Sequence, residues 1–288
     1  MFRPPSDTAL VWSLRGLALI ATAIVLLIVV FLAVEAWPAL RSVGVGRFVS
    51  DAGWHPGGGA EQGRFNLTPM VVGTLAAAGG AVLLAAPLGL ASALFCRFYA
   101  PRRIGGMYRR IVELLAGIPS VVYGFWGLMV LAPLIRQWQP PGQSLLTGIL
   151  ILTIMVLPTV ALLSESSLRS VPRPYLDGAA ALGLSRWSTI RGVALPAAWG
   201  GIFTAVLLAT GRAIGETMAV LMVAGNVVQT PMSIFEPVRT LTANIALELG
   251  YAMAHHRSAL FVSGLALMAM VVVLVALASW INRGRAHG

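Results

Sequence analysis

A chain of 288 residues that is 58% hydrophobic and only 10% charged is too apolar for a water-soluble domain and fits a polytopic helical membrane protein. Its net charge of +10 would suit nucleic acid on a soluble protein. Here every Lys-or-Arg position is Arg and most lie in short segments beside apolar blocks, so the charge reads as membrane orientation and no nucleic-acid partner is expected.

The first apolar run, residues 17–34, follows Arg3 and Arg15. It exceeds the ~7–15 residues of a signal-peptide core and with its flanks approaches the ~20 residues of a span. No small-residue cleavage site follows, so the run is read as a retained first transmembrane helix. Residues 35–66 read as a first periplasmic loop, with Gly57, Gly58 and Gly59 as its flexible centre and Trp37 and Trp54 as interfacial anchors. A second span is predicted over 67–94, with Pro87 tolerated as a kink inside a bundle. Cys96 follows; a lone cysteine makes no intramolecular disulfide and reads as a small apolar filler.

Arg97, Arg102, Arg103, Arg109 and Arg110 crowd the next connector, which places it in the cytoplasm. The third span is predicted over 111–135 and contains GIPSVVYGFWG, residues 117–127; Glu113 near its start reads as an interfacial carboxylate stabilised by the helix N-terminus and the neighbouring arginines. A polar turn leads to a fourth span over 145–163, a polar segment covers 164–197, and a fifth span follows over 198–224. An outer loop of amphipathic character covers 225–257, and the sixth span is predicted over 258–281. The fold class is therefore all-α, one transmembrane domain over 1–288 with no internal repeat.

Six spans put both termini on one side. With the N-terminus inside, Arg3, Arg15, Arg97, Arg102, Arg103, Arg109, Arg110, Arg169, Arg173, Arg186, Arg191, Arg283 and Arg285 are cytoplasmic. Only Arg41, Arg47, Arg64, Arg136, Arg239 and Arg257 face out, so the asymmetry predicts N-in and C-in.

Within the polar segment, DGAAALGLSRWSTIRGVALP (177–196) carries helix punctuation between two apolar blocks. Pro174 suits a first helical position, Gly183 a left-handed residue after the helix end, and Ser185 the cap of a second short helix. In that second helix Trp187, Ile190 and Ala194 recur at helical spacing, and Pro196 is expected to bar continuation into the next span. Two short helices with a glycine joint read as a docking element; the alternative is an ordinary amphipathic connector. The stretch resembles the signature cytoplasmic loop of ABC-importer permeases, E-A-A, three residues, G, nine residues, I, one residue, L-P. Asp177 stands for the Glu, Gly178 and Ala179 for the alanines, Gly183 for the Gly and Val193 for the Ile, and Leu195 and Pro196 match. The resemblance implies a coupling loop that docks in a groove of a separate ATPase subunit.

Arg212 and Glu216 fall in GRAIGETMAV (211–220), inside the fifth apolar block. Four residues apart on a helix they would share a face and reach each other. An arginine near the bilayer centre costs about 2.5–3.5 kcal/mol, so it should face protein or water, and Gly211 and Gly215 would admit a neighbouring helix. A pair that locks the bundle is one reading; a pair lining a translocation path is the preferred one.

GRAIGETMAVLMVAGN, together with LLAGIPSVVYG, VVGTL and APLGL, resembles the permeases of the phosphate-specific (Pst) ABC importer, and the loop WHPGGGAEQGRFNLTPMVVGT and the M-A-V after G-E-T resemble its C-type subunit. CRFYAP, residues 96–101, departs from the family near Arg97 and Phe98, where an acidic residue is usual. The resemblance implies the type I importer permease fold, a heterodimeric pore with an A-type permease, two copies of an ATP-binding subunit holding ATP and Mg, a periplasmic phosphate-binding protein, and a place in the bacterial inner membrane. The chain has no G-x-x-x-x-G-K-[ST] loop, so ATP hydrolysis belongs to a partner and no cofactor is expected here. No catalytic or metal site is expected either: His255 and His256 are adjacent rather than at ligand spacing, and the serines at 120, 164 and 166 lack a GxSxG context. Asn226, Arg239 and Asn244 are candidates for contact with a binding protein. A permease for another oxyanion or a phosphonate would keep the docking loop without needing GRAIGET; a secondary transporter or membrane enzyme would need no dock.

Overall fold

The computed structural model describes residues 5–283, so Arg3 and Arg285 lie outside the described residues. Helix α1 spans Pro5–Val43 and ends at Gly44, followed by the one-turn α2, Arg47–Ser50. A two-residue antiparallel ribbon pairs β1 (Trp54–His55) with β2 (Arg64–Phe65) around a tight turn and α3 (Gly59–Gln62). Helix α4, Thr68–Leu94, runs into a π-helical turn to Tyr99; α5 is Arg102–Gly117, and α6 (Ser120–Trp126) continues through another π-turn into α7 (Ala132–Arg136). Helix α8, Leu145–Arg169, precedes the short α9 (Arg173–Ala181) and α10 (Arg186–Thr189). Then come α11 (Leu195–Gly215), α12 (Met218–Val223), α13 (Leu241–Glu248) and α14 (Ala254–Arg283).

Five helical stretches are long and apolar enough to cross a bilayer, and the Arg103–Gly117 and Ser120–Arg136 pair, bent by 92°, makes a sixth if taken as one broken span. The predicted continuous third span, 111–135, is therefore corrected. Pro119 forces Ile118 out of the helical region (ψ 130°), and the chain turns a corner there. The freed carbonyl of Leu115 is taken by the Tyr123 hydroxyl at 2.8 Å. Glu113 accordingly lies in the second half of α5, not near a helix start, and pairs with Arg109 at 2.8 Å.

The centre of the bundle is α4 against α8, with α11 alongside. Beyond Met70 and Thr74 the buried face of α4 is small: Ala77, Ala78, Ala81, Ala85, Gly89 and Ala93. Facing it are the larger Ile149, Leu152, Val156 and Val160 of α8. Lipid tails offer no hydrophobic drive to helix association, so close backbone approach and dense packing must hold such helices together. A Cβ at Gly89 would stand 2.8 Å from the Val160 side chain, which shows how near the backbones come.

Two smaller clusters mark the ends. The cap end gathers Phe48, Trp54, Phe65, Met70, Leu241 and Leu260; the base end gathers Ala93, Leu168, Val171, Ala194 and Ile202. Flanking the turn at residues 57–59, Trp54 and Phe65 are buried in one cluster with residues of α1 and α14. Segment limits shift likewise. Helix α1 reaches Val43, since Ala36, Ala39 and Val43 pack into the cap, and α8 reaches Arg169, past the predicted start of the 164–197 segment.

Replacing Gly89 with valine should overpack the α4–α8 contact. The detergent-solubilised protein should lose about 1–3 kcal/mol of stability, read as a lower unfolding midpoint, whereas Gly79→Val on the open side of the same helix should lose none, valine being the better helix former.

Candidate functional site

At the base end the chain folds the 173–189 stretch as two short helices. Helix α9 closes with backbone bonds from Gly183 to Ala180 (3.0 Å) and from Leu184 to Ala179 (3.1 Å), with Gly183 at φ +71°. That geometry satisfies the last carbonyls and needs a residue without a Cβ penalty. Ser185 then caps α10, accepting from the Ser188 N–H at 3.2 Å. Tyr175, Leu182, Leu184 and Trp187 remain exposed, an unusual apolar group for a polar connector, and Asp177 is exposed beside them. Ala179, by contrast, is buried inside the chain, so its small size serves the packing of α9 on its own neighbour.

Pro196 does not stop the chain. Leu195 donates to the Ile190 carbonyl, closing a π-helical turn over Ile190–Ala194, and Arg186–Gly215 forms one continuous span. The wider turn gives the proline ring room and makes its missing N–H harmless. Leu195 is partly buried and Pro196 exposed at this junction.

The expected Arg212–Glu216 pair is not present. Helix α11 ends at Gly215; Glu216 has ψ 131° and α12 begins two residues later, so the two side chains no longer share a helix face. Glu216 Oε1 instead accepts from the Ala219 N–H (3.1 Å), and its carbonyl accepts from the Thr242 hydroxyl (2.8 Å). Two of the backbone groups that the break frees thus find partners. Arg212 is exposed, its Nη1 directed to the Thr159 hydroxyl on α8 at 3.4 Å. Gly211 and Gly215 have open space where a Cβ would point, so among the described residues none packs at those Cβ positions. A guanidinium left exposed on an apolar span must meet water or another protein.

The carboxylates sequence reading passed over are Glu165 and Glu248. Glu165 is buried at the base end, where its Oε1 takes Arg169 Nη2 at 2.6 Å, and Arg109 stands 4.0 Å from its Oε2. Its spacing from Arg169 was the available signal. At the cap end Glu248 accepts from Trp54 Nε1 (2.8 Å), lies 2.8 Å from His256 Nε2, and pairs with Arg239 Nη1. Arg239 also donates to the Asn226 carbonyl (2.9 Å) and to Asn244 Oδ1 (3.1 Å). Trp54 is therefore a buried hydrogen-bond donor rather than an interfacial anchor, and Arg239, Asn226 and Asn244 are engaged within the chain. A lone acid amid the apolar LTANIALEL run was the sign of such a hub. Beside it a groove of about 700 Å³ opens between the Pro56–Gly59 turn and the start of α14.

Apolar helices crossing one layer, two of them broken, with a two-helix turn at one end, define a transport permease. The same fold occurs in a bacterial alginate ABC importer (TM-score 0.68, 16% identity, covering 96% of this chain and 97% of that one) and in the MetNI methionine ABC transporter (TM-score 0.62, 20% identity, 76% and 95%). The chain belongs to the family of inner membrane components of binding-protein-dependent transport systems, whose pattern matches residues 85–287, and is thus a transport subunit rather than an enzyme. Among its relatives are the probable ABC transporter permease protein YqgH of Bacillus subtilis, 37% identical over 274 residues (93% of this chain, 88% of the relative), and the phosphate transport system permease protein PstC of Mesorhizobium japonicum, 34% identical over 267 residues (85% and 80%). PstC of Haemophilus influenzae is 31% identical over 281 residues (90% and 88%).

Glu248→Ala should leave Arg239 without its carboxylate and Trp54 without its acceptor. The loss expected is roughly 2–4 kcal/mol, the low side of a broken buried pair because Arg239 keeps the Asn226 carbonyl. Thermal unfolding of the purified protein measures it, and Trp54→Phe should lose less.

Proposed function

We propose that this chain is a permease subunit of an ATP-driven phosphate importer in the bacterial inner membrane, forming the translocation path with a second, A-type permease. Two copies of an ATP-binding subunit, holding ATP and Mg, drive it, and a periplasmic phosphate-binding protein delivers inorganic phosphate. The observation that carries the reading is an exposed Arg212 within an apolar span of a chain whose relatives include phosphate permeases. Phosphate near neutral pH carries roughly one to two negative charges. Arginine offers it a permanent charge and a planar fork of N–H donors. One weak site suits a path better than a tight cage, because the ion must leave.

Glu216 takes a different part from that expected of an ion-pair partner. Its carboxylate caps α12, and so holds the chain break open beside Arg212. Arg212→Gln should abolish phosphate uptake in membrane vesicles with the complex still assembled. Glu216→Gln retains an acceptor for the Ala219 N–H and should keep most uptake, whereas Glu216→Ala should lose it. Normal uptake by Arg212→Gln would remove Arg212 from the path. The alternative, a permease for another oxyanion or a phosphonate, predicts that competition by that anion exceeds competition by phosphate.

The coupling surface we assign to Asp177, Gly183 and the exposed Leu182, Leu184 and Trp187, with buried Ala179 and partly buried Leu195 supporting it and exposed Pro196 at its junction with the span. Gly183→Trp should strain the left-handed joint and obstruct the ATPase groove. The variant should fail to co-purify with the ATP-binding subunit or should hydrolyse ATP without transport; normal transport would exclude this docking role.

Both termini are placed in the cytoplasm, with the 164–197 segment, and the 35–66 and 225–257 segments in the periplasm. Gly57 and Gly106 have free space around a Cβ. Single cysteines there, in a Cys96→Ser background, should be respectively labelled by and protected from an impermeant thiol reagent in intact cells. The reverse pattern would invert the topology.

A further inference from the structure

Helix α5, Arg102–Gly117, is built in three sectors. One is packed on the bundle through Val112, and Arg109 reaches Glu165 at the end of α8, so α5 belongs to the base end. A second carries Ile104, Met107, Ile111 and Leu114 at spacings of three and four, all about half exposed or more. The third is polar, with Arg103 and Arg110 exposed along the border of the apolar stripe. Among the described residues neither arginine has an acidic partner within salt-bridge distance.

The bend sets how this helix meets a membrane. Ser120–Arg136 turns away from α5 at 92°, so if that half runs with the bundle, α5 lies across its end. Phe95 and Tyr99, just before α5, are exposed aromatics at the same end; Phe95 stacks edge-on against Tyr108 of α5, with ring centroids 5.9 Å apart. Aromatics of this kind collect at the level of lipid headgroups. A helix with a wide exposed apolar stripe bordered by arginines fits a position in the interface plane, stripe toward the acyl chains and charges among the phosphates.

We infer that α5 is an in-plane interfacial helix whose Arg103 and Arg110 bind the headgroups of anionic phospholipids in the leaflet at the base end. A protein partner would have to bring both an apolar face for the stripe and carboxylates placed at its edge for the two unpaired arginines. A fluid anionic leaflet satisfies both sectors at once. The site is independent of which solute the permease carries.

The test uses the assembled complex in vesicles of phosphatidylcholine and phosphatidylglycerol, with a spin label on Met107→Cys in a Cys96→Ser background. The label should collide with oxygen far more than with a water-soluble nickel chelate, at about 5–10 Å below the phosphates. Spin-labelled phosphatidylglycerol should be enriched over phosphatidylcholine around the protein, falling by about fivefold for each of Arg103→Gln and Arg110→Gln. Millimolar inorganic phosphate should leave the enrichment in place. A label reached equally by the nickel chelate would place the stripe in water, and one reached by neither would place it under a second protein chain. Either result, an enrichment unchanged by the arginine variants, or its loss to free phosphate would overturn the assignment.

Discussion

Where a chain interrupts its helices inside a layer without water, every backbone group it frees needs a partner within the protein, and that constraint organises this structure. Three interruptions meet it in three ways. At Pro119 the Tyr123 hydroxyl reaches back to the Leu115 carbonyl. Ahead of Pro196 a π-helical turn keeps the ladder closed through Leu195 and Ile190. At Glu216 the side chain takes the Ala219 N–H while Thr242 donates to the Glu216 carbonyl. The breaks at Pro119 and Glu216 are thus built features that redirect the chain, α5 across the base end and α11 away from α12, while the π-turn ahead of Pro196 lets the docking turn run on into a span.

The rigid part that carries these breaks is the α4–α8 contact. Alanine and glycine on one helix face larger aliphatic side chains on the other, so the pair is close and has little room to slip. Helix α11 leans on this pair through Ala205, Ala209 and Ala213, and Arg212, seven residues after Ala205, stands at the border of that packed face with its side chain exposed. Dense packing on one face, with a single exposed charge at its border and the open face around Leu208 and Gly215 beside it, is what the proposed translocation path requires. The cap end is held separately, through Glu248, which joins the β-ribbon, the 226–244 segment and α14 in one polar hub.

Much of this was legible in the residues. The second and fourth spans begin within a residue of their predicted starts, because apolar length alone decides them. Gly183 and Ser185 take the roles their chemistry suggested, since the left-handed joint and the N-cap are local. What eluded sequence reading was non-local or depended on competing local solutions. Pro196 looked like a stop, but a π-turn is an equally satisfied way past a proline. Arg212 and Glu216 looked like a pair because helix periodicity was extended through GET; the Thr242 donor that stabilises the break lies far along the chain. Trp54 looked like an anchor because its acceptor, Glu248, is distant in sequence. The helical continuity of 111–135 failed at Ile118, where the restriction that a following proline imposes was outweighed in the reading by hydrophobic length.

The central claim is that the open face of α11 beside Arg212 lines the phosphate path. Gly215 lies on that face with free space around it, so a cysteine there disturbs little. The direct measurement is the rate at which a water-soluble methanethiosulfonate modifies Gly215→Cys, in a Cys96→Ser background, in the assembled complex in membrane vesicles. The account predicts that the thiol reacts and that phosphate slows the reaction several-fold more than sulfate at the same concentration. A thiol that never reacts, or one whose rate ignores phosphate, would contradict it.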